Sequence, residues 1–289
     1  MGVLVGAVII GTTFNPGGGS DITVRHIPQT IPVYSGFIGE FSPMASAQIT
    51  FNDFAAIRAV NSSAVTESTY LRFAAPALNI SSVTILQRLS VVLSQPNATV
   101  DVTELDQAAF NAAWMLFSAS TLPKTHVGSF VLYNPAEVSS PQPKSVWIAM
   151  APSSSVLIAS EGALPAFTAV SQVLAVYSNT APSLLTSPEV RRMLYVVNGT
   201  SGHLALAIQN FPGAAASGQS TLITVDKLQS DLAVNYAVSF SDPDVAQAQL
   251  AYFRTVYLGS RAFASYDEIL LATQSQPTSA LLLAVALAG

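Results

Sequence analysis

The apolar residues of this chain come in short runs closed by Gly, Pro, Ser or Asn. None reaches the roughly 20 residues that a membrane-spanning helix needs. The longest uncharged apolar stretches are Gly2–Ile10 and Ser279–Gly289. Short runs of this kind specify strands and short helices that share a core. Ala45, Ala47, Ile49 and Phe51 alternate with Ser46, Gln48 and Thr50, the period of a strand with one face buried.

Such segments must still be kept in solution, and the chain has little charge to do it with. Only 9% of its residues are charged, with 11 Lys and Arg against 16 Asp and Glu. An ordinary soluble domain carries roughly 25%. The three lysines are Lys124, Lys144 and Lys227. A surface so poor in charge is made of Ser, Thr, Gln, Ala and Val, or is covered by other subunits. The cations are dispersed, and only Arg191 and Arg192 are adjacent. No basic arm or patch is available to neutralise phosphates, so weak or no nucleic-acid binding is expected. There is no cysteine, which excludes disulfides, thiolate metal sites and Cys nucleophiles. Gly2–Ile10 lacks the basic flank of a signal peptide.

Val3–Ile10 reads as a β-prone arm, followed by a hinge at Gly17, Gly18 and Gly19. Strands are expected over Ile31–Phe41, Ala45–Phe51, Val127–Tyr133, Ser145–Met150, Val156–Ala159, Leu204–Ile208, Thr221–Val225 and Leu232–Phe240. Helices are expected over Asn52–Val60, capped by Asn52 or Asp53, and over Thr103–Ser118, capped by Asp101 or Thr103. In the second of these, Leu105, Ala109, Ala112, Ala113 and Leu116 lie near one face. Further helices follow Ser187-Pro188 and Asp242-Pro243. Ser265 with Glu268 forms a capping box that predicts a last helix to Gln274. Ser82–Leu93 and Ala166–Tyr177 fit helix and strand equally. No repeat of fixed period is present.

Residues that could carry chemistry are few. The histidines are His26, His126 and His203. Gly199-Thr200-Ser201-Gly202 before His203 has the wrong spacing for a nucleophile elbow. Asp101, Glu104 and Asp106, and the pair Asp242 and Asp244, stand where helices are expected to begin, so capping accounts for them. Gly17-Gly18-Gly19-Ser20 lacks the lysine of a phosphate loop. Trp114 and Trp147 read as core or interface residues. Asn61, Asn79, Asn97 and Asn198 each begin an N-x-S/T sequon. No catalytic, cofactor-binding or metal-ligating residue is assigned.

These observations predict an α+β fold: a β-rich sandwich or jelly-roll-like core with helical insertions and β-prone terminal segments. The expected organisation is an arm and hinge over 1–20, a main β-rich domain with helices over 21–277, of one unit or two subdomains, and an apolar tail over 278–289. The expected function is that of a self-assembling structural protein whose partner is itself, alone or with other coat or filament proteins. A viral coat subunit in a virion is the first reading. An extracellular or cell-surface filament subunit linked by strand exchange is the second, and a secreted hydrolase or carbohydrate-binding module the third. No enzyme activity, cofactor or transmembrane span is expected.

Overall fold

The computed structural model describes residues 22–61, 85–134, 146–161, 164–199, 202–209, 220–257 and 259–281. The arm, the hinge and residues 282–289 of the tail lie outside them. The described strands are β1 (Thr23–Arg25), β2 (Ser46–Asp53), β3 (Ile85–Leu93), β4 (Ala98–Leu105), β5 (Lys124–Val127), β6 (Phe130–Tyr133), β7 (Val146–Ala151), β8 (Val156–Glu161), β9 (His203–Gln209), β10 (Ser220–Lys227), β11 (Asp231–Ser239), β12 (Ala262–Tyr266) and β13 (Ile269–Pro277). The helices are α1 (Phe37–Phe41), α2 (Phe54–Val60), α3 (Gln107–Ala119), α4 (Leu164–Tyr177), α5 (Pro188–Val196) and α6 (Pro243–Val256).

All thirteen strands join one sheet in the order β1-β12-β13-β11-β10-β9-β2-β3-β4-β8-β7-β6-β5. Every pairing is antiparallel except β1 with β12. The fold is therefore α+β with a β-rich core, and helices supply the layers that cover the sheet. Alternate residues of the same strands feed two cores. Ala149, Ala151, Val156, Ile158, Leu206 and Ile208 face one side, with α1, α4 and α5. Ile148, Met150, Leu157, Ala159, Ala205 and Ala207 face the other, with α2 and α3. At the far end of that second side, α6 packs Ala246, Leu250 and Phe253 on Leu270 and Ala272 of β13. Covering both faces is why strands such as β7 and β8 are continuously apolar. Each fully buried Leu, Ile or Phe contributes about 1.5–3 kcal/mol.

The two halves of the sheet repeat one plan about the central β2–β9 pair, where Ile49 lies opposite Ile208. A helix on the first face (α1 or α5) precedes three antiparallel strands. A helix on the second face (α3 or α6) follows. The chain then returns from the sheet edge inward until a strand (β8 or β13) pairs with the third of those strands.

Several expected elements stand where predicted: β2, α2 capped by Asp53, β7, β8, β9, β10, β11, α5 and α6. The ambiguous Ser82–Leu93 is strand β3 from Ile85, and Ala166–Tyr177 lies in helix α4. Four expectations are corrected. Ile31–Phe41 is not a strand: its end forms α1, which buries Ile38 and Phe41 three residues apart on one helical face. The helix expected from Thr103 begins at Gln107, and neither Asp101 nor Thr103 caps it. Val100 and Val102 are buried as alternating strand residues of β4, and Asp106 is the cap. Val127–Tyr133 is two strands, β5 and β6, joined at Gly128, whose φ is +58°. Ser265–Gln274 is not a helix but the β12–β13 hairpin, turning at Asp267 and Glu268 with Asp267 at φ +49°. There Ile269 and Leu271 meet one core while Leu270 and Ala272 meet another, which only a strand allows.

Candidate functional site

Helix α3 follows β4 and lies over β6–β8 on the second face. Asp106 caps it, its side chain accepting from the Ala109 N–H at 2.8 Å. Phe110, Ala113 and Phe117 are its buried residues, and Phe117 meets the Tyr133 ring at 5.1 Å. The 13 residues of α3 include no charge. Its outward surface carries the polar Gln107, Asn111 and Ser118, the small Ala108, Ala112 and Ala119, and three large apolar side chains: Trp114 is 39% exposed, Met115 70% and Leu116 54%. A water-facing helix ordinarily carries charge on that side. The face expected from the sequence was Leu105, Ala109, Ala112, Ala113 and Leu116. Of these Ala112 and Leu116 are exposed, and Leu105 belongs to β4. The spacing Phe110, Ala113, Phe117 was the signal for the correct phase, and it leaves Met115 and Leu116 outside the core.

Four residues separate α3 from β5, the edge of the sheet. Among the described residues nothing pairs with its outer side. Lys124 and His126 are exposed there and alternate with the half-buried Thr125 and Val127. The opposite edge, β1, is equally unpaired on its outer side among the described residues, and all three of its residues are exposed.

The residues singled out for chemistry are scattered. His26 is exposed and bonds Asp267 through Nδ1 at 2.8 Å. Asp267 also accepts the Ile27 N–H at 3.0 Å. These hydrogen bonds, His26 first and then Ile27, with the nearby charges of His26 and Arg192, hold the Asp267 carboxyl below its usual range against a smaller opposing effect of burial. His126 lies on β5. His203 is buried on β9, with Nδ1 on Asp226 and Nε2 2.6 Å from the Gly199 carbonyl oxygen. Both ring nitrogens of His203 are thus engaged within the fold, by Asp226 and by the Gly199 carbonyl. Gly202 is at φ +85°, and Ser201 and Thr200 lie outside the described residues.

Asp101 is ion-paired with Arg88, Asp106 caps α3, and Asp242 caps α6 by accepting the Val245 N–H at 2.9 Å. Asp244 sits in the first turn of α6. Glu104 is held protonated to higher pH by burial, then by Asp53 and Glu40. Among the described residues no group of three or more His, Asp or Glu could hold a metal. Trp147 is half-buried, edge-on to Phe167 at 5.1 Å. Asn97 and Asn198 are exposed in turns, Asn61 follows α2, and Asn79 and Gly17–Ser20 lie outside the described residues. No helix among the described residues is long and apolar enough to cross a membrane.

No family model and no curated protein matches the chain. Among solved structures the chain is similar to TP0453. Against its crystal form I the TM-score is 0.48 at 8% identity, over 90% of this chain and 98% of that one. Against crystal form III it is 0.49 at 10% identity, over 86% and 97%.

Proposed function

We propose that this protein is a structural subunit that assembles with copies of itself. The observation that carries the reading is the uncharged outer face of α3, with Trp114, Met115 and Leu116 in water. A two-fold contact lays a surface patch against its own copy, so charge of one sign near the axis opposes itself. An uncharged helix face with large apolar side chains meets that condition. The low charge of the whole chain, 9%, points the same way. The two sheet edges β5 and β1, unpaired on their outer sides among the described residues, supply a second kind of contact at opposite ends of one sheet. Contacts at opposite ends propagate in one dimension, which favours a filament or tube over a closed shell. An extracellular filament subunit is therefore the preferred setting. A virion coat subunit is the second, favoured by the dispersed cations only if the assembly closes without basic arms.

Negative-stain microscopy and light scattering of the wild type and of Met115→Glu/Leu116→Lys test this reading. Fibres from the wild type, and smaller particles of unchanged helix content from the variant, are the expected result. Closed shells would transfer the reading to the coat subunit. A wild type that stays monomeric at tens of micromolar overturns self-assembly.

A further inference from the structure

A polar ladder, buried at His203 and Thr224 and half-buried at Asp226, Asn235 and Thr273, crosses four strands on the first face of the sheet. Thr273 on β13 donates to Asn235 Oδ1 on β11 at 2.8 Å. Asn235 Nδ2 donates to Asp226 Oδ2 on β10 at 2.7 Å, and Thr224 donates to the same oxygen at 3.3 Å. Asp226 Oδ1 receives His203 Nδ1 on β9. The other ring nitrogen, Nε2, reaches the Gly199 carbonyl at 2.6 Å. A carbonyl oxygen only accepts, and so does a carboxylate such as Asp226. Both ring nitrogens must therefore donate, and a neutral imidazole has only one N–H.

Gly199 is the corner between α5 and β9. Its φ of +90° and its N–H bond to Leu194 fix the turn. The Tyr34 ring lies so close that a Cβ on Gly199 would stand 2.6 Å from Tyr34 Cε1. Tyr34 belongs to the strap of residues 22–36, which crosses the surface with only three residues in a strand. The strap is also tied by Arg191, which donates to the Ile31 carbonyl, and by Asp267, which receives the Ile27 N–H.

We propose that His203 is a buried imidazolium, and that its second ring proton latches the Gly199 corner and, through Tyr34, the strap to the sheet. The groups facing the ring are Asp226 and Thr224 on β10 and Asn235 on β11, with Thr273 on β13 behind them and the Gly199 corner with Tyr34 on the other side. Arg191 and Tyr195 of α5 act on Tyr34. Among the described residues Asp226 is the charge that bears on the ring. Burial alone would lower the imidazole's affinity for its proton. The hydrogen bond and charge of Asp226, helped by the Gly199 carbonyl, outweigh it, and the net shift is upward. A histidine raised on folding adds stability that is complete below its unfolded value of about 6.5 and is lost as pH rises through its folded value. The latch therefore opens on the alkaline side. It acts within one chain and does not depend on self-assembly.

Two measurements on the wild-type protein test it. At pH 6.5, where a free imidazole is about half neutral, long-range ¹⁵N–¹H spectra should show His203 mainly protonated at both nitrogens. A single-tautomer pattern there overturns the imidazolium. Trypsin cleavage after Arg25, corrected with a free peptide for the enzyme's own pH response, should accelerate several-fold across the His203 titration. An unchanged rate overturns the latch. The same acceleration in His26→Gln assigns it to His203 and not to the exposed His26–Asp267 pair, and its loss in that variant overturns the assignment. Asp226→Asn should bring fast cleavage down to neutral pH. If that variant fails to fold, the wild-type spectra still decide.

Discussion

Arg88 on β3 and Asp101 on β4 form an ion pair at 2.9 Å, diagonal across the two strands, with their side chains 18% and 8% exposed. Removing one partner leaves the other charge in a poorly hydrated site. Asp101→Ala should therefore cost about 3 kcal/mol, whereas the double replacement Arg88→Met/Asp101→Leu should recover most of that loss. Chemical denaturation of the two variants checks both. A single variant that loses less than the double contradicts the pairing.

Glu104 pays for its position in the opposite sense. Burial first, then the carboxylates of Asp53 and Glu40, raise its pKa above the ordinary value of 4.5. A carboxyl raised on folding is destabilising when charged. That penalty is absent below the unfolded value and grows as pH rises to the folded one. Glu104→Gln should therefore melt higher than wild type at pH 7 and equally at pH 4. Melting curves at the two values decide it, and a variant less stable at pH 7 would contradict the sign.

The acid limb of stability has a separate source in Asp267. Its carboxyl, lowered mainly by the His26 hydrogen bond and then by the Ile27 N–H, adds stability that is present above its unfolded value and lost as pH falls through its folded one. Asp267→Asn should flatten the melting profile below about pH 4. Asparagine tolerates the left-handed backbone at this position, so the turn itself should survive.

Helix ends give a calibrated comparison. Asp53, Asp106 and Asp242 each accept a backbone N–H three residues on, from Ala56, Ala109 and Val245. Replacing each by Ala should cost about 1 kcal/mol. Equilibrium unfolding of the three variants checks it.

Capping chemistry was the most legible part of the chain, because it is local. Asp53 and Asp242 start helices where the sequence places them. The errors arise where two local signals compete and distant packing chooses. Asp101, Thr103 and Asp106 all qualify as caps, but Val100 and Val102 are needed in the sheet core, so only Asp106 serves. Ser265 and Glu268 have the spacing of a capping box. Pairing of Ala264 with Leu271 and of Leu271 with Ala237 claims that segment for the sheet instead. The candidate surface was legible as a deficit of charge, not as a place. Placing it required the phase of α3, which depends on Phe117 finding Tyr133 on a strand that follows the helix. The His203 ladder was illegible because its members come from four separate strands.

The close approach of Tyr34 to Gly199 makes that corner intolerant of any side chain. Gly199→Ala should destabilise by about 2 kcal/mol, from the left-handed backbone together with the clash. In a Tyr34→Ala background the same change should cost less, since only the backbone part remains. A double-mutant cycle by thermal melting measures the difference.

The central seam of the sheet also bears on how the chain reaches its fold. Within each half, strands next to one another in sequence pair as hairpins such as β3–β4 and β10–β11, contacts that form quickly because the loops they close are short. Ile49 and Ile208 lie far apart in sequence, so their pairing closes a much larger loop. The two halves can thus take shape independently and join late. Until they join, β2 and β9 each expose an open edge, and two molecules in that condition can pair one's β2 with the other's β9. The seam that completes the monomer is also the place where a crowded refolding would exchange halves between chains.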